Sequence, residues 1–111
     1  MDTTQLFSLK GRTALITGGS RGIGRMIAEG FLTQGARVYI SSRKAAACED
    51  TVKELSALGP CFSLPADVST VEGAKALAAA YAAKEDSLDI LVNNAGAAWG
   101  ETFDTFPEKG W

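Results

Sequence analysis

A glycine-rich turn between a short apolar run and a helix-like stretch constrains this chain more than any other feature. The apolar run at residues 13–16 is followed directly by Thr17-Gly18-Gly19-Ser20-Arg21-Gly22-Ile23-Gly24. Glycines let the backbone turn sharply and approach a phosphate closely, while the N–H groups and positive dipole end of the next helix attract the anion. The order strand, glycine turn and helix therefore predicts a phosphate-binding loop.

Strand-like and helix-like segments alternate along the rest of the sequence. Strands are predicted at residues 12–17, 37–41, 61–64 and 88–92, and the last is apolar enough to be buried on both faces. This alternation predicts an α/β fold with right-handed crossovers, in which a parallel sheet has the strand order 3-2-1-4. We expect residues 1–111 to form one domain, the first part of a Rossmann-type doubly wound parallel sheet.

Apolar spacing and capping residues predict the helices between these strands. A capping box is predicted with Ser69 as N-cap and Glu72 reaching back, Gly59-Pro60 is expected to stop the second helix, and a fourth helix is expected to begin at residues 105–108. The residues expected to mark one face of each helix are Ile23, Ile27 and Phe31 in the first, Cys48, Val52, Leu55 and Leu58 in the second, and Ala74, Leu77, Ala78 and Tyr81 in the third.

Charge and residue usage exclude several classes of function. The 111 residues carry a net charge of −2 and no histidine, which gives no reason to expect a nucleic-acid or anionic-membrane partner and removes the commonest metal ligand. Cys48 and Cys61 lack metal-ligand spacing, so we expect two reduced thiols and no metal site. The polar, acidic start is not typical of a secretory signal, and no apolar run approaches the ~20 residues of a membrane span. We therefore expect a cytoplasmic location.

The residues after the second strand indicate which dinucleotide the loop prefers. An acidic residue at this place binds the ribose 2′-OH of NAD, but Ser41-Ser42-Arg43-Lys44 contains no carboxylate. Arg43 can pair with the 2′-phosphate of NADP through two N–H bonds, Ser42 can add a neutral donor, and Arg21 can approach from the glycine loop. This pattern predicts NADP, with NADPH preferred over NADH. The alternative is that Arg43 and Lys44 only begin a solvated helix.

Two further strand ends carry candidate binding residues. Asp67 can hydrogen-bond the adenine amino group while Val68 packs on the ring, unless Asp67 is simply a turn residue. Asn93-Asn94-Ala95-Gly96 follows the fourth strand, where ligands of open α/β sheets bind. Small residues there allow close approach to the nicotinamide ribose, whereas the alternative is a polar strand exit with a glycine turn.

Together these segments resemble the short-chain dehydrogenase/reductase family. The resemblance rests on Thr17-Gly18-x-x-x-Gly22-x-Gly24, Asp67-Val68 and Asn93-Asn94-Ala95-Gly96 in order and spacing, and it covers almost the whole chain. Within the family, the loop, Ser42-Arg43 and the run at residues 88–92 are similar to bacterial 3-oxoacyl-[acyl-carrier-protein] reductases, and Trp99-Gly100 is similar to their rhamnolipid-associated branch.

The resemblance implies a role for each matching residue. The residues implied to bind the cofactor are Gly18, Gly19, Ser20, Arg21, Gly22, Ile23 and Gly24 at the pyrophosphate and adenosine, Ser42 and Arg43 at the 2′-phosphate, Asp67 and Val68 at adenine, and Asn94, Ala95 and Gly96 by the nicotinamide. Asn93 is implied mainly to hold the sheet together. The implied reaction is the NADPH-dependent reduction of a carbonyl, such as a 3-oxoacyl thioester, to a hydroxyl by a homo-oligomeric enzyme.

The chain departs from the family in its proton-transfer residues. The family uses an Asn, a Ser and a Tyr-x-x-x-Lys pair that this sequence does not contain, since Tyr39 lies in a predicted strand and Tyr81 is followed four positions later by Glu85. We expect a fragment of an active reductase that is inactive by itself. The alternatives are a non-catalytic NADP-binding module, the product of a broken gene, or part of an alcohol dehydrogenase or epimerase-like relative.

Overall fold

Short aliphatic strands alternate with helices through the part of the chain that the computed structural model describes, residues 8–20 and 22–94. In chain order, the elements are β1 (Thr13–Thr17), α1 (Gly22–Thr33), β2 (Arg37–Ser41), α2 (Ala45–Leu55), β3 (Cys61–Ser63), α3 (Val71–Ala82) and β4 (Ile90–Asn93).

The strands form one parallel sheet in the order β3-β2-β1-β4, which confirms the predicted topology. In the register of the sheet, Ile16 of β1 lies between Ile40 of β2 and Val92 of β4. All five residues of β1 are buried, as expected for a strand with neighbours on both sides. The carboxyl ends of β1, β2 and β4 therefore meet at one edge of the sheet.

Alternate side chains of the strands build two cores, one on each face of the sheet. On the first face, Ile16, Val38 and Ile40 pack with residues of α1 and α2, including Leu32 and Leu55. On the opposite face, Leu15 and Tyr39 pack with Leu77 and Tyr81 of α3. Cys48 and Cys61 are free and buried in the first core. None of the described helices combines the length and apolarity needed to cross a bilayer.

The face of α1 that contacts the sheet differs from the predicted face. Gly24, Ala28 and Leu32 are its buried residues, whereas Ile23 is 68% exposed and Ile27 and Phe31 are only half-buried. The predicted face is rotated by one residue, because the small side chains of Gly24 and Ala28 let the helix backbone lie close to the sheet. Apolar periodicity identified the larger residues at the margin of the contact instead of the small ones at its centre.

The faces of the other two helices follow the prediction more closely. Cys48, Thr51 and Leu55 are the buried residues of α2, whereas the predicted Val52 is half-buried. Leu58 lies beyond the end of this helix and is 44% exposed. Helix α2 ends at Leu55, before the predicted Gly59-Pro60 stop. In α3 the buried residues are Ala74, Leu77 and Tyr81, as expected, whereas the expected Ala78 is half-buried.

The predicted capping box at the start of α3 is wrong by one residue. Thr70 is the N-cap, and its side chain accepts a hydrogen bond from the Gly73 N–H. Ser69 instead donates from its N–H and its hydroxyl to Asp67 Oδ1. The Asp67 carboxylate draws Ser69 into the preceding turn, which leaves the adjacent threonine to cap the helix.

The predicted burial of the fourth strand on both faces is also wrong. Ile90, Leu91 and Val92 are half-buried and Asn93 is exposed, because within residues 8–20 and 22–94 this strand pairs with β1 alone. The helix expected at residues 105–108 lies outside the described residues, so it stays a prediction.

Candidate cofactor-binding cleft

A cleft of about 780 Å³ opens at the edge of the sheet where the strands end. The described residues that line it come from the turns after β1, β2, β3 and β4 and from the first turns of α1 and α2. They are Gly18, Ser20, Gly22, Ile23, Ser41, Ser42, Arg43, Lys44, Ala47, Ala66, Asp67, Val68, Ser69 and Asn94. This is the place where open α/β sheets bind their ligands.

The glycine turn forms the floor of the cleft. Gly18 has a φ of 70°, a backbone conformation that favours glycine, and its N–H donates to the Ser41 carbonyl at 2.7 Å. At Gly24, an added Cβ would lie 2.2 Å from the Gly18 carbonyl oxygen and 2.8 Å from Asn94 Nδ2. Glycine at this position therefore lets the first turn of α1 pack directly under the loop and beside the end of β4.

The other residues of the turn lie on either side of this contact. Gly19 is buried against Ile40, while Ser20 and Gly22 line the cleft. Ile23 also lines the cleft, and its large exposed fraction supplies an apolar wall there. The start of α1 thus presents a helix N-terminus and one apolar side chain to the same space.

The side of the cleft after β2 is basic. Arg43 and Lys44 are exposed and line the cleft, and neither belongs to an ion pair among the described residues. The Ser42 hydroxyl donates to the Lys44 carbonyl at 3.1 Å, which bends the chain into α2. Lys44 is the N-cap of α2 and makes no side-chain capping bond. An anion at this side would meet two cations and no carboxylate on residues 41–44.

The opposite wall follows β3 and is shaped by an Asp67–Ser69 turn. Asp67 Oδ1 accepts hydrogen bonds from the N–H and the hydroxyl of Ser69. These bonds, the hydroxyl's first, lower the pKa of Asp67, and Arg43 lowers it further as a nearby cation. Asp67 is therefore an ionised hydrogen-bond acceptor near neutral pH. Val68 is half-buried and packs against the second core, which fixes an apolar side chain beside the carboxylate.

Thr17 ties the ends of β1 and β4 together below the cleft. Its hydroxyl donates to Asn93 Oδ1 at 2.9 Å and accepts from the Asn94 N–H at 3.0 Å. The implied role of Asn93 in holding the sheet together agrees with this contact. Asn94 itself lines the cleft, with its side-chain amide close to Gly24.

Both tyrosines of the chain have structural partners away from the cleft lining. The Tyr39 hydroxyl donates to Glu85 Oε2 at 2.6 Å, and the Tyr81 hydroxyl donates to the Ser87 carbonyl. Burial raises the pKa of Tyr39 and raises the pKa of Tyr81 to about 12. An acid–base tyrosine works with a lowered pKa, so neither residue is suited to proton transfer near neutral pH.

Most of the predicted site residues meet at this cleft. Gly18, Ser20, Gly22, Ile23, Ser42, Arg43, Asp67, Val68 and Asn94 line it, whereas Gly19 and Gly24 support it from below. Arg21, Ala95 and Gly96 lie outside the described residues and stay predictions.

Sequence reasoning missed the lining residues Ser41, Ala47, Ala66 and Ser69, and it did not assign Lys44 to the site. Position in the fold could have identified them, since each lies within six residues of a strand's carboxyl end. The described residues contain no cluster of three or more metal-ligating side chains.

The amino-acid sequence is similar to a known protein family and to several of its members. The model of the short chain dehydrogenase family matches residues 12–111. The rhamnolipids biosynthesis 3-oxoacyl-[acyl-carrier-protein] reductase of Pseudomonas aeruginosa is 56% identical over 105 residues, which is 95% of this chain and 41% of that protein. The 7alpha-hydroxysteroid dehydrogenase of Escherichia coli K12 is 40% identical over 97 residues, 86% of this chain and 38% of that protein.

Solved structures show the same likeness in three dimensions. The Pseudomonas aeruginosa RhlG/NADP active-site complex superposes with a TM-score of 0.80 at 52% identity, covering 93% of this chain and 40% of that one. The L-sorbose reductase of Gluconobacter frateurii, complexed with NADPH and L-sorbose, gives a TM-score of 0.77 at 34% identity, covering 88% and 38%. The chain thus spans about two fifths of the length of these relatives.

Proposed function

Because this chain belongs to the short-chain dehydrogenase family, we propose that it is the cofactor-binding part of an NADPH-dependent oxidoreductase. The proposed reaction reduces a carbonyl to a hydroxyl, and the proposed substrate class is a 3-oxoacyl thioester. The substrate class rests on the 56% identity to a 3-oxoacyl-[acyl-carrier-protein] reductase. The alternatives of a non-catalytic module or an alcohol dehydrogenase have no specific feature of the cleft in their favour.

The observation that carries this proposal is the pairing of a glycine-floored cleft with a basic wall after β2. Gly18 adopts the positive φ that the turn requires, and the missing Cβ of Gly24 lets the first turn of α1 pack against the Gly18 carbonyl. The N-terminus of α1 therefore lies at the cleft, where it can attract a pyrophosphate. Arg43 and Lys44 line the adjoining wall, where two cations can attract a 2′-phosphate. A carboxylate in their place would repel it. The cleft therefore fits NADP(H), which supplies a hydride at its nicotinamide ring when bound.

We assign each cleft residue a part in holding the dinucleotide. The glycine loop, with Arg21, binds the pyrophosphate; Ser42 and Arg43 bind the 2′-phosphate; and Asp67 and Val68 hold the adenine. Asn94, Ala95 and Gly96 are assigned to the nicotinamide side.

The assignments at Asp67 and Val68 are supported by an ionised acceptor next to a fixed apolar side chain. The assignment of Arg43 is supported by its exposure and by the lack of an ion pair within the described ranges.

Catalysis and assembly belong, in this proposal, to a longer protein. Neither tyrosine of the 111 residues is placed or tuned for proton transfer, so we expect the chain alone to turn over no carbonyl substrate. The longer protein is proposed to be a homo-oligomer that acts in the cytoplasm on small or acyl-carrier-bound carbonyls. The free thiols of Cys48 and Cys61 are typical of a reducing compartment.

Replacing Arg43 by aspartate in the protein at the full length its gene encodes tests the assignment. We expect Arg43→Asp to weaken NADPH binding by roughly 1.5–3 kcal/mol, since a charge-assisted pair is lost, while NADH binding changes little. The dissociation constants are measured by titrating nicotinamide fluorescence. Lys53→Asp is the matched control, because it makes the same charge change on the exposed side of α2 away from the cleft.

The two kinds of failure are distinct in this experiment. An unchanged ratio of NADPH to NADH affinity in Arg43→Asp would overturn the role of Arg43. Failure of the unsubstituted protein to bind either nucleotide would overturn the proposed function.

A further inference from the structure

The hydroxyl of Thr51 makes a hydrogen bond that joins helix α2 to the glycine loop. It lies in α2, 4% exposed, and its Oγ1 donates to the Ser20 carbonyl oxygen at 2.7 Å, across 31 positions of sequence. The hydroxyls of Thr33 and Ser56 instead bond carbonyls three and four positions earlier in their own helices. The Thr51 hydroxyl is therefore turned away from its own helix toward the glycine loop.

The Thr51 bond fixes the direction of one carbonyl in that loop. Ser20 lines the cleft, whereas Thr51 does not, so the Ser20 carbonyl oxygen is held on the α2 side and away from the space proposed for the pyrophosphate. Gly19 and Gly22 lie near Ser20 in the sequence, and glycine makes rotation of neighbouring peptides inexpensive. A rotated Ser20 carbonyl would direct its lone pairs at the pyrophosphate and repel it.

Helix α2 has other attachments that keep it in place without this bond. Cys48 and Leu55 are buried in the first core on either side of Thr51. Arg25 of α1 also forms an ion pair with Glu54 of α2. Removal of the Thr51 hydroxyl should therefore free the loop carbonyl while leaving the helix seated.

We propose that Thr51 is a positioning residue that holds the glycine loop in its pyrophosphate-binding form by anchoring the Ser20 carbonyl. The inference rests on the proposed function, since it assumes that the loop binds a dinucleotide. The pyrophosphate is common to NADPH and NADH, so the effect of Thr51 is independent of the 2′-phosphate. This separates its role from that of Arg43, which acts on the 2′-phosphate alone.

The test compares Thr51→Val, which keeps the shape but removes the hydroxyl, with Thr51→Ser, which keeps the hydroxyl. In the protein at the length its gene encodes, we expect Thr51→Val to raise the dissociation constants of NADPH and NADH about tenfold each, with their ratio unchanged. The dissociation constants of Thr51→Ser should stay within about twofold of those of the unsubstituted protein.

In turnover, KM for both nucleotides should rise in Thr51→Val while kcat is retained. Ser56→Ala is the control, since it removes a hydroxyl of the same region that bonds only its own helix.

The outcomes distinguish this inference from the function on which it rests. Unsubstituted protein that binds no nucleotide overturns the function, whereas folded Thr51→Val that binds as well as the unsubstituted protein overturns the role of Thr51 alone. A changed ratio of the NADPH and NADH dissociation constants in Thr51→Val would also overturn the role of Thr51.

If Thr51→Val does not fold, Thr51→Ala takes its place. If neither folds, a slowly exchanging Thr51 hydroxyl proton close to Ser20 is sought by NMR in the unsubstituted protein, and its absence overturns the proposal.

Discussion

At the scale of single residues, the packing beneath the cleft requires a residue without a Cβ at position 24. A Cβ on Gly24 would overlap the Gly18 carbonyl and approach the Asn94 amide, so the end of β1, the start of α1 and the end of β4 meet where one methyl group does not fit. The sequence motif predicts glycine here for close approach to a phosphate. The structure adds that the glycine is needed for the protein's own packing.

Gly24→Ala should therefore lower the stability of the fold as well as nucleotide binding. We expect a loss of about 1–3 kcal/mol in the free energy of unfolding, because the helix must shift away from the loop to admit the methyl group. Gly30→Ala in the same helix is the control, since a Cβ there meets nothing within 4 Å, and alanine in place of a helix-interior glycine should add about 0.5–1 kcal/mol. Urea unfolding at the protein's full encoded length measures both, and equal stability of Gly24→Ala and the unsubstituted protein would contradict the packing argument.

The residues that sequence reasoning found and missed differ in the range of their contacts. The place of Arg43 and Asp67 at the cleft was predictable because each follows the carboxyl end of a strand. Thr51 was not, because its partner Ser20 lies 31 positions away and a threonine inside a helix has no pattern that predicts a tertiary hydrogen bond. The turn at Ser69 was missed for a similar reason, since the competition between a helix cap and the Asp67 carboxylate depends on local geometry.

At the scale of elements, the strand order was predictable and the helix orientations were only partly so. The bounds of β2 at Arg37–Ser41 agree with the prediction, because apolar β-branched and aromatic residues end sharply at polar ones. The buried face of α1 was not predictable from large apolar residues, since Gly24 and Ala28 make the central contact. The exposure of β4 depends on what flanks it in space, which the composition of the strand does not encode.

A polar cluster joins the segment after α3 to the amino-terminal half of β2. Glu85 Oε2 accepts hydrogen bonds from Arg37 at 3.0 Å and from the Tyr39 hydroxyl at 2.6 Å. These two donors, Tyr39 first, lower the pKa of Glu85 below its ordinary value of 4.5. Arg37 also lies over the ring of Phe62, with its guanidinium carbon 5.1 Å from the centroid. The Glu85 carboxylate thus links the segment after α3 to strand β2.

The lowered pKa of Glu85 predicts how stability depends on pH. A carboxyl whose pKa is lower in the folded protein contributes stability that is present above its unfolded pKa and is lost as pH falls through the folded pKa. We expect Glu85→Gln to be less stable than the unsubstituted protein at pH 7 and the difference to shrink as pH falls below about 4.5. Urea unfolding from pH 7 to pH 3 measures the difference, with Asp86→Asn as a control for an exposed neighbouring carboxylate. A difference of constant size across this range would contradict the assignment.

At the scale of the whole molecule, the described surface keeps exposed apolar side chains away from the cleft. Met26 on α1 is 69% exposed, and β4 has half-buried aliphatic side chains. Over residues 8–20 and 22–94, β4 is bonded on one side only, to β1. The relatives are more than twice as long as this chain.

The 111-residue chain produced by itself should therefore self-associate and should not melt as a sharply cooperative monomer. A strand bonded on one side offers free N–H and C=O groups to a second copy, and its apolar side chains favour the contact. Sedimentation velocity at several concentrations, together with a thermal melt, measures both properties. Met26→Lys adds a charge to the exposed side of α1, so it should leave an association through β4 unchanged. A monomer with a sharp melt would contradict the prediction, and loss of association in Met26→Lys would place the contact on α1 instead of β4.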